Sequence, residues 1–330
     1  MTNPTSENIQ LTTTIPEDLA GLRLDQAIAK LLPQYSRARL QTWIREAAVR
    51  VNGKLLPAKA KVTGGEKIEL NAIVEAIVAV AEDIFINIVY EDESILIIDK
   101  PAGLVVHPGA GNREGTLLNA LLHHLPALQC IPRAGIVHRL DKDTTGLLVI
   151  AKTLQAHTHL VQQLQTRSMG REYVAVVQGL VRVGGTVNAA VGRHTLRRQR
   201  MAVTAGGKPA ITHYKVLERF LAHSYLDLKL DSGRTHQIRV HMAHIGHPVV
   251  GDPIYAGRLA LPQGMNPETA NYLRHFKRQA LHAKCLTLQH PITGLVMQWQ
   301  SPLPADMQEL LEFLQRDHLK PSSDKGFVSY

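Results

Sequence analysis

The stretch HRLDKDTTG, residues 138–146, holds two carboxylates, two fixed cations, a histidine and two hydroxyls. The apolar run at 147–151 that follows is short and rich in β-branched residues, which predicts a buried strand. Reactive side chains often lie on turns held by such a scaffold, although an ordinary ion-paired turn has the same composition. The pattern alone leaves Asp141 and Asp143 as equal candidates for a functional carboxylate.

The whole chain has the composition of a soluble, basic protein. Its 330 residues suffice for two domains, and they are 45% hydrophobic and 20% charged. The net charge of +9 favours an anionic partner, nucleic acid before membrane. No apolar run is long enough to span a bilayer, so no membrane association is expected. Two distant cysteines, Cys130 and Cys285, exclude a disulfide framework and predict a reducing, cytoplasmic location.

Residues 1–14 are polar and predict a disordered lead-in, and residues 15–75 predict a first small domain. Apolar residues of the segment 22–32 recur with helical spacing, and Ser36 is a good N-cap for a second helix at 37–46. Short strands follow on either side of an Asn52-Gly53 turn. Two helices followed by this hairpin, with the local run SRARL and VNGK, resemble the S4 RNA-binding domain.

The positive charge is concentrated in this first domain. Between residues 36 and 67, eight Lys or Arg stand against two Glu, so this short segment carries +6 of the chain's +9. One basic face of a compact module contacts phosphates without reading sequence, whereas a single lysine is more often merely solvated. The substrate contacts expected here are Arg37, Arg39, Arg50 and Lys54.

Residues 76–318 predict a second, larger domain, before a polar tail at 319–330. Alternating strand patterns are numerous, helices between them are few, and no β-α unit repeats. Thr116 predicts the N-cap of a helix at 117–125, and a last helix is expected at 305–316. This pattern predicts an α+β fold whose catalytic sheet is mixed and mostly antiparallel.

The segment DSGRTHQIRVHMAH, residues 231–244, is the second dense polar stretch of this domain. Ser232 or Thr235 is expected to cap a helix whose first turn carries His236 and Gln237. Its histidines lack a carboxylate or thiolate to complete a metal site, so no metal is expected. Signatures of P-loop, serine-hydrolase and zinc-protease sites are absent as well. A carboxylate beside arginine stays ionised and suits a nucleophile acting on a glycosidic bond.

Three motifs together resemble the RluA family of pseudouridine synthases. They are HRLDKDTTGLLV at 138–149, REY at 171–173 and GRTHQIRVH at 233–241. The likeness extends from the S4-like domain to Trp299, and the first motif is highly specific. It implies a synthase that flips a uridine out of RNA, detaches uracil at N1 and rejoins it through C5, without cofactor. The segment from Val106 to Leu122 is most similar to a branch of the family that modifies helix 69 of large-subunit ribosomal RNA.

The resemblance also implies roles for single residues. Asp141 is expected to be the catalytic aspartate, attacking C1′ or abstracting the C2′ proton. Tyr173 is expected to stack on the uracil and help to remove its C5 proton. Arg234 is expected to pair with Asp141. Arg139 is expected to fill the gap left by the flipped nucleotide, and Ile238 to wall the pocket.

The remaining polar residues of the first motif are expected to be structural. Asp143 should bond backbone amides of its own turn, and His138 and Lys142 should support the turn or contact phosphate.

Three alternative functions stay open: a non-catalytic RNA-binding or ribosome-assembly factor, a nucleoside hydrolase, and a sibling synthase acting on other ribosomal or transfer RNA uridines. The hydrolase requires a second carboxylate as acid, and only Asp143 is near in sequence.

Overall fold

The computed structural model describes residues 7–32, 37–74, 80–109, 112–195, 197, 200–259 and 261–318. Two compact units divide the chain, Met1–Val78 and Ala79–Tyr330, close to the predicted boundary at residues 75 and 76. The predicted tail at 319–330 lies outside the described residues. Within them, no helix has the length and apolar character needed to cross a membrane.

The first unit is a three-stranded antiparallel sheet packed against two helices. Its elements are β1 (Glu7–Thr14), α1 (Leu24–Leu31), α2 (Arg37–Arg45), β2 (Val49–Val51) and β3 (Lys67–Val74). The strand order is β1-β3-β2, and β1 pairs with β3 along its whole length. The predicted disordered lead-in is therefore wrong for residues 7–14, because Ile9 and Leu11 pack against the core of this unit. Residues 1–6 are not described.

Both helices of the first unit confirm the predicted apolar stripes. Leu24 and Ile28 of α1 are buried in one core with Leu40 and Trp43 of α2. The Asn52–Gly53 turn has positive φ at both positions, 49° and 75°, as a tight hairpin turn requires. The predicted N-cap Ser36 lies outside the described residues.

The second unit is built on a nine-stranded sheet of order β4-β5-β6-β13-β7-β12-β11-β8, with β14 paired to β13. A separate two-stranded ribbon consists of β9 and β10. The strands are β4 (Asn87–Glu91), β5 (Ile95–Lys100), β6 (Thr145–Ala151), β7 (Gly170–Gln178), β8 (Gly185–Asn188), β9 (Val191–Arg193), β10 (Met201–Val203), β11 (Ile211–Arg219), β12 (His223–Leu230), β13 (Leu281–Gln289) and β14 (Val296–Gln300).

One strand pair of this sheet is parallel, β6 with β13, and the other pairs are antiparallel. The prediction of a mixed, mostly antiparallel α+β fold is confirmed. Gly146 permits the parallel pairing, since a Cβ there would lie 2.2 Å from the carbonyl oxygen of Ala283. The pairing fixes β6 in the middle of the sheet, directly after the polar turn at 138–144.

Among its described residues the second unit has five α-helices: α3 (Leu117–His124), α4 (Leu154–Thr166), α5 (Gln237–His244), α6 (Pro267–His275) and α7 (Ala305–His318). The predicted N-cap is confirmed, because the Thr116 side chain accepts a hydrogen bond from the Asn119 amide. The predicted start of α5 is wrong. Neither Ser232 nor Thr235 caps it, and His236 precedes it in the left-handed conformation at φ 56°.

Candidate active site

A buried lysine donates hydrogen bonds to the turn that carries Asp141 and to the segment directly after the lysine itself. Lys100, which ends β5, is 1% exposed, and its Nζ donates to the carbonyl oxygens of Pro101, Leu104 and Lys142 at 2.6, 3.0 and 2.8 Å. Burial lowers the pKa of Lys100 to about 8, although Asp143 and Asp141 act in the opposite direction. The amide of Thr144 donates to the Asp141 carbonyl at 3.1 Å, which closes the turn.

Asp141 is paired with Arg239, not with Arg234. Arg239 Nη1 lies 2.8 Å from Asp141 Oδ2. The predicted pairing with Arg234 is wrong, because Arg234 lies in the loop before α5 and its Nε donates to the Pro209 carbonyl at 3.3 Å. Arg239 lies on α5 itself, with its side chain 4% exposed, whereas the Asp141 side chain is 16% exposed and open to solvent on one side.

A second carboxylate orients the same guanidinium. Asp252, which is buried, accepts from Arg239 Nε at 2.6 Å and from Nη2 at 2.9 Å. The amides of Ile254 and Tyr255 donate to Asp252 Oδ1 at 2.8 and 3.0 Å, so this carboxylate is itself fixed. Burial alone lowers the pKa of Arg239, but the hydrogen bonds and charges of Asp252 and Asp141 raise it above its usual value. Arg239 therefore stays cationic and points Nη1 at Asp141.

His236 lies on the other side of the Asp141 carboxylate. Its Nε2 is 3.8 Å from Asp141 Oδ1, and its Nδ1 is 2.9 Å from the hydroxyl of Tyr255. Burial lowers the pKa of His236, and Asp141 opposes that shift. The left-handed backbone of His236 is costly for a non-glycine residue, and such strain is often found beside functional groups.

A cavity of about 570 Å³ opens in front of Asp141. Tyr173 from β7 and Ile238 from α5 line it, and both are at least nine-tenths buried. Burial raises the pKa of the Tyr173 phenol, Arg171 lowers it and Asp141 adds to the rise. The cavity thus combines a carboxylate paired with an arginine, an aromatic ring and an aliphatic wall. That is what a flipped nucleobase requires of its pocket.

Arg139 is exposed at the rim of this cavity and also lines a second cavity of about 410 Å³. Both cavities share Asp141, His236 and Arg239. The exposed side chain of Arg139 therefore borders both cavities.

His138 lines the cavity and is hydrogen-bonded to the strand that follows its own turn. Its Nε2 accepts a hydrogen bond from the Val149 amide at 3.2 Å. Burial and the charge of Arg171 lower the pKa of His138 to about 3, so it is neutral at physiological pH.

Asp143 differs from its predicted role. Within the described part of the chain its carboxylate bonds no backbone amide, and Arg278 Nη1 instead donates to its carbonyl at 3.2 Å.

The expected RNA contacts of the first unit differ in their surroundings. Arg37 Nη2 pairs at 2.7 Å with the buried Asp25, so part of the Arg37 charge is neutralised. Asp25 also accepts a hydrogen bond from Arg23. Arg50 is exposed and its Nη1 donates to the Gly53 carbonyl at 3.1 Å. Lys54 is exposed. The side chain of Arg39 lies outside the described residues.

Sequence reasoning missed Arg239, Asp252 and Arg171 as site residues. Arg239 and the buried Met242 are three residues apart, the spacing that shares a helix face, but no apolar pattern marks Gln237 as the first residue of α5. Asp252 lies in the loop after α5, and only the folded chain brings it to the site. No group of three metal-ligating side chains occurs within the described ranges.

The chain also matches known proteins. The family model for RNA pseudouridylate synthases matches residues 94–244, and the S4 domain model matches residues 22–68. A ribosomal large subunit pseudouridine synthase D from Pseudomonas aeruginosa is 55% identical over 94% of this chain and 98% of its own. The chain belongs to the RNA pseudouridylate synthase family. The protein of the same description from Escherichia coli strain K12 is 54% identical over 94% of this chain and 96% of its own.

Solved structures of this family share the fold. Human RNA Pseudouridylate Synthase Domain Containing 4 is 24% identical, with a TM-score of 0.54 over 69% of this chain and 93% of its own. Human RNA Pseudouridylate Synthase Domain Containing 1 is 25% identical, with a TM-score of 0.53 over 74% of this chain and 99% of its own. The catalytic unit of this family member therefore has the architecture of known pseudouridylate synthases.

Proposed function

We propose that this synthase converts uridines of large-subunit ribosomal RNA to pseudouridine, at the helix 69 stem-loop, in the cytoplasm. The observation that carries the proposal is the Asp141 carboxylate, held by Arg239 at 2.8 Å and open to a cavity of nucleoside size. Relatives more than half identical over nearly the whole chain are described as ribosomal large subunit pseudouridine synthases, which supports this class of substrate. The likeness of the segment 106–122 to the helix 69 branch supports the position.

The reaction begins when a uridine leaves its stack, at a cost of a few kcal/mol. Arg139 at the cavity rim fills the gap in the RNA, while the uracil enters against Tyr173 and Ile238. RNA binding to the basic surface of the S4 unit, including Arg50 and Lys54, offsets part of this cost by phosphate contacts.

Asp141 then acts on the ribose. It attacks C1′ or removes the C2′ proton, and both routes break the N1–C1′ bond. The uracil rotates and C5 bonds to C1′, which displaces Asp141 from C1′ on the first route or is accompanied by return of the proton from Asp141 to C2′ on the second. The C5 proton is then removed with the help of the Tyr173 phenol, and a proton is added to N1. Arg239 holds the Asp141 side chain in place, because Asp252 fixes the other edge of the Arg239 guanidinium.

The substrate is tested by mapping pseudouridine in ribosomal RNA from cells lacking this protein. Loss confined to helix 69, restored by the intact chain, supports the proposal. Loss at other ribosomal or transfer RNA positions identifies a sibling synthase instead. An unchanged pseudouridine map contradicts a modifying role and favours a non-catalytic assembly factor.

A further inference from the structure

Arg171 is a buried cation that the mechanism above does not use. It follows Gly170 at the start of β7, is 6% exposed and lines the cavity in front of Asp141. Its Nε is buried without a hydrogen-bond partner. Among the residues that the structure describes, none forms an ion pair or hydrogen bond with its side chain.

An unpaired guanidinium in the protein interior is costly, and buried charges are normally paired. The contrast with Arg239 is direct, because that equally buried guanidinium contacts the carboxylates of Asp252 and Asp141. The Arg171 guanidinium therefore places beside the reaction cavity a positive charge with no ion-pair partner among the residues that the structure describes. A negatively charged group that enters or forms in the cavity would compensate it.

The position of Arg171 favours the base over the RNA backbone as this group. Arg171 and Tyr173 are alternate residues of one strand, so their side chains point to the same face of the sheet. The cavity also has exposed arginines, namely Arg133, Arg139 and Arg167. Phosphates stay near solvent and would meet these exposed side chains, whereas a base that enters the cavity beside Tyr173 would meet the buried Arg171.

The reaction creates a negative charge on that base. When the N1–C1′ bond breaks, its electron pair leaves with uracil and spreads over N1 and the two carbonyl oxygens. The charge is lost again when C5 bonds to C1′. Resting on the proposed function, we propose that Arg171 is a further catalytic residue, which binds a uracil carbonyl oxygen and stabilises the detached uracil anion. A cation fixed in place before the reaction needs no reorganisation as that charge develops.

Arg171→Met, Arg171→Lys and the wild type are compared in single turnover on a helix 69 stem-loop RNA. Arg274→Met is the matched control, since Arg274 is exposed on α6 and does not line the cavity. Loss of one such stabilising group is worth about 100-fold in rate, so Arg171→Met should slow pseudouridine formation by about that factor. Arg171→Lys should recover part of the loss, and the control should react as the wild type does.

Measurements of RNA affinity and of thermal stability distinguish this catalytic role from binding of the RNA backbone and from a purely structural role. RNA affinity and its salt dependence should be unchanged in Arg171→Met. A salt slope lower by about 0.7, the value of one phosphate contact, would overturn the proposal in favour of backbone binding. The thermal midpoint of Arg171→Met should equal or exceed that of the wild type, because an unpaired buried charge is removed.

A better leaving group gives the decisive comparison. Fluorine at C5 stabilises the uracil anion by itself, so consumption of a 5-fluorouridine RNA should be slowed by Arg171→Met far less than that of the uridine RNA. Equal slowing of both substrates would show a structural role. No slowing with 5-fluorouridine, which has no C5 proton, would show that Arg171 assists removal of the C5 proton instead. Either result overturns the proposal. A wild type that forms no pseudouridine would instead refute the proposed function.

Discussion

At the scale of single residues, one guanidinium serves two carboxylates with different exposure. Asp252 is enclosed and bound by two backbone amides, whereas Asp141 keeps one side open to the cavity. The buried carboxylate thus fixes the orientation of Arg239, and Arg239 in turn fixes the reactive carboxylate. We expect Asp252 to be a positioning residue that acts through Arg239.

Asp252→Asn keeps the shape of this side chain but removes its charge and one of its acceptor atoms. Loss of a side chain that orients a reactive residue typically lowers activity by about 10- to 100-fold. We therefore expect kcat to fall by about that factor, with KM for RNA unchanged. Asp227→Asn is the control, because it removes a carboxylate that pairs with Lys284 at 2.9 Å outside the cavity. Equal rates for Asp252→Asn and the wild type would refute the positioning role.

The motifs predicted which segments form the site, and the folded chain decides which side chain performs each contact. Asp141, Tyr173 and Ile238 line one cavity, as the family resemblance implies. Arg234 lines it as well but does not reach Asp141, because the left-handed His236 delays the start of α5 and places Arg239 inward. A backbone conformation of this kind leaves no signal in the pattern of apolar residues.

At the scale of elements, the parallel pairing of β6 and β13 sets the position of the catalytic turn. Gly146→Ala should destabilise the protein by about 3 kcal/mol, since its φ of 111° and the nearby Ala283 carbonyl both oppose a side chain. Gly264→Ala is the control: its φ is 86° but no atom lies within 4 Å of the added Cβ. That variant should lose only about 1 kcal/mol.

Chemical denaturation of both glycine variants measures the difference. Equal losses of the free energy of unfolding would mean that the β6–β13 contact does not constrain residue 146. A larger loss in Gly146→Ala, together with slower turnover of the folded fraction, would link the strand pair to the site.

Helices with a clear apolar stripe were predictable, whereas several short or polar elements were not. The apolar residues of α1 and α3 recur with helical spacing and are buried as predicted. β1 was missed because its sequence is polar, and its place depends on pairing with β3, more than fifty residues away. β8, β9 and β10 are only three or four residues long, too short to show a clear alternating pattern in the sequence.

At the scale of the whole molecule, we expect the basic S4 unit to supply affinity for RNA and the second unit to supply the chemistry. Asp25 neutralises part of the charge of Arg23 and Arg37, so the exposed Arg50 and Lys54 are better placed to contact phosphate. The sequence predicted two domains and their fold classes. The order of nine strands was not predictable, because it depends on pairings between segments distant in the chain.

The double variant Arg50→Gln, Lys54→Gln should bind the stem-loop RNA more weakly and with a flatter salt dependence. Two phosphate contacts correspond to a change of about 1.4 in the slope of log K against log salt concentration. The control is Arg274→Gln with Lys277→Gln, two exposed positions in the second unit. An unchanged slope would show that the basic surface is only solvated.

The most direct test of the central claim compares two aspartates of the same turn. Asp141→Asn and Asp143→Asn each remove one negative charge, but only Asp141 pairs with Arg239. In single turnover on the stem-loop RNA, Asp141→Asn should bind RNA normally and lose at least about 10⁴-fold in rate, because the carboxylate itself reacts. Asp143→Asn should remain an active synthase. Substantial pseudouridine formation by Asp141→Asn would contradict the account.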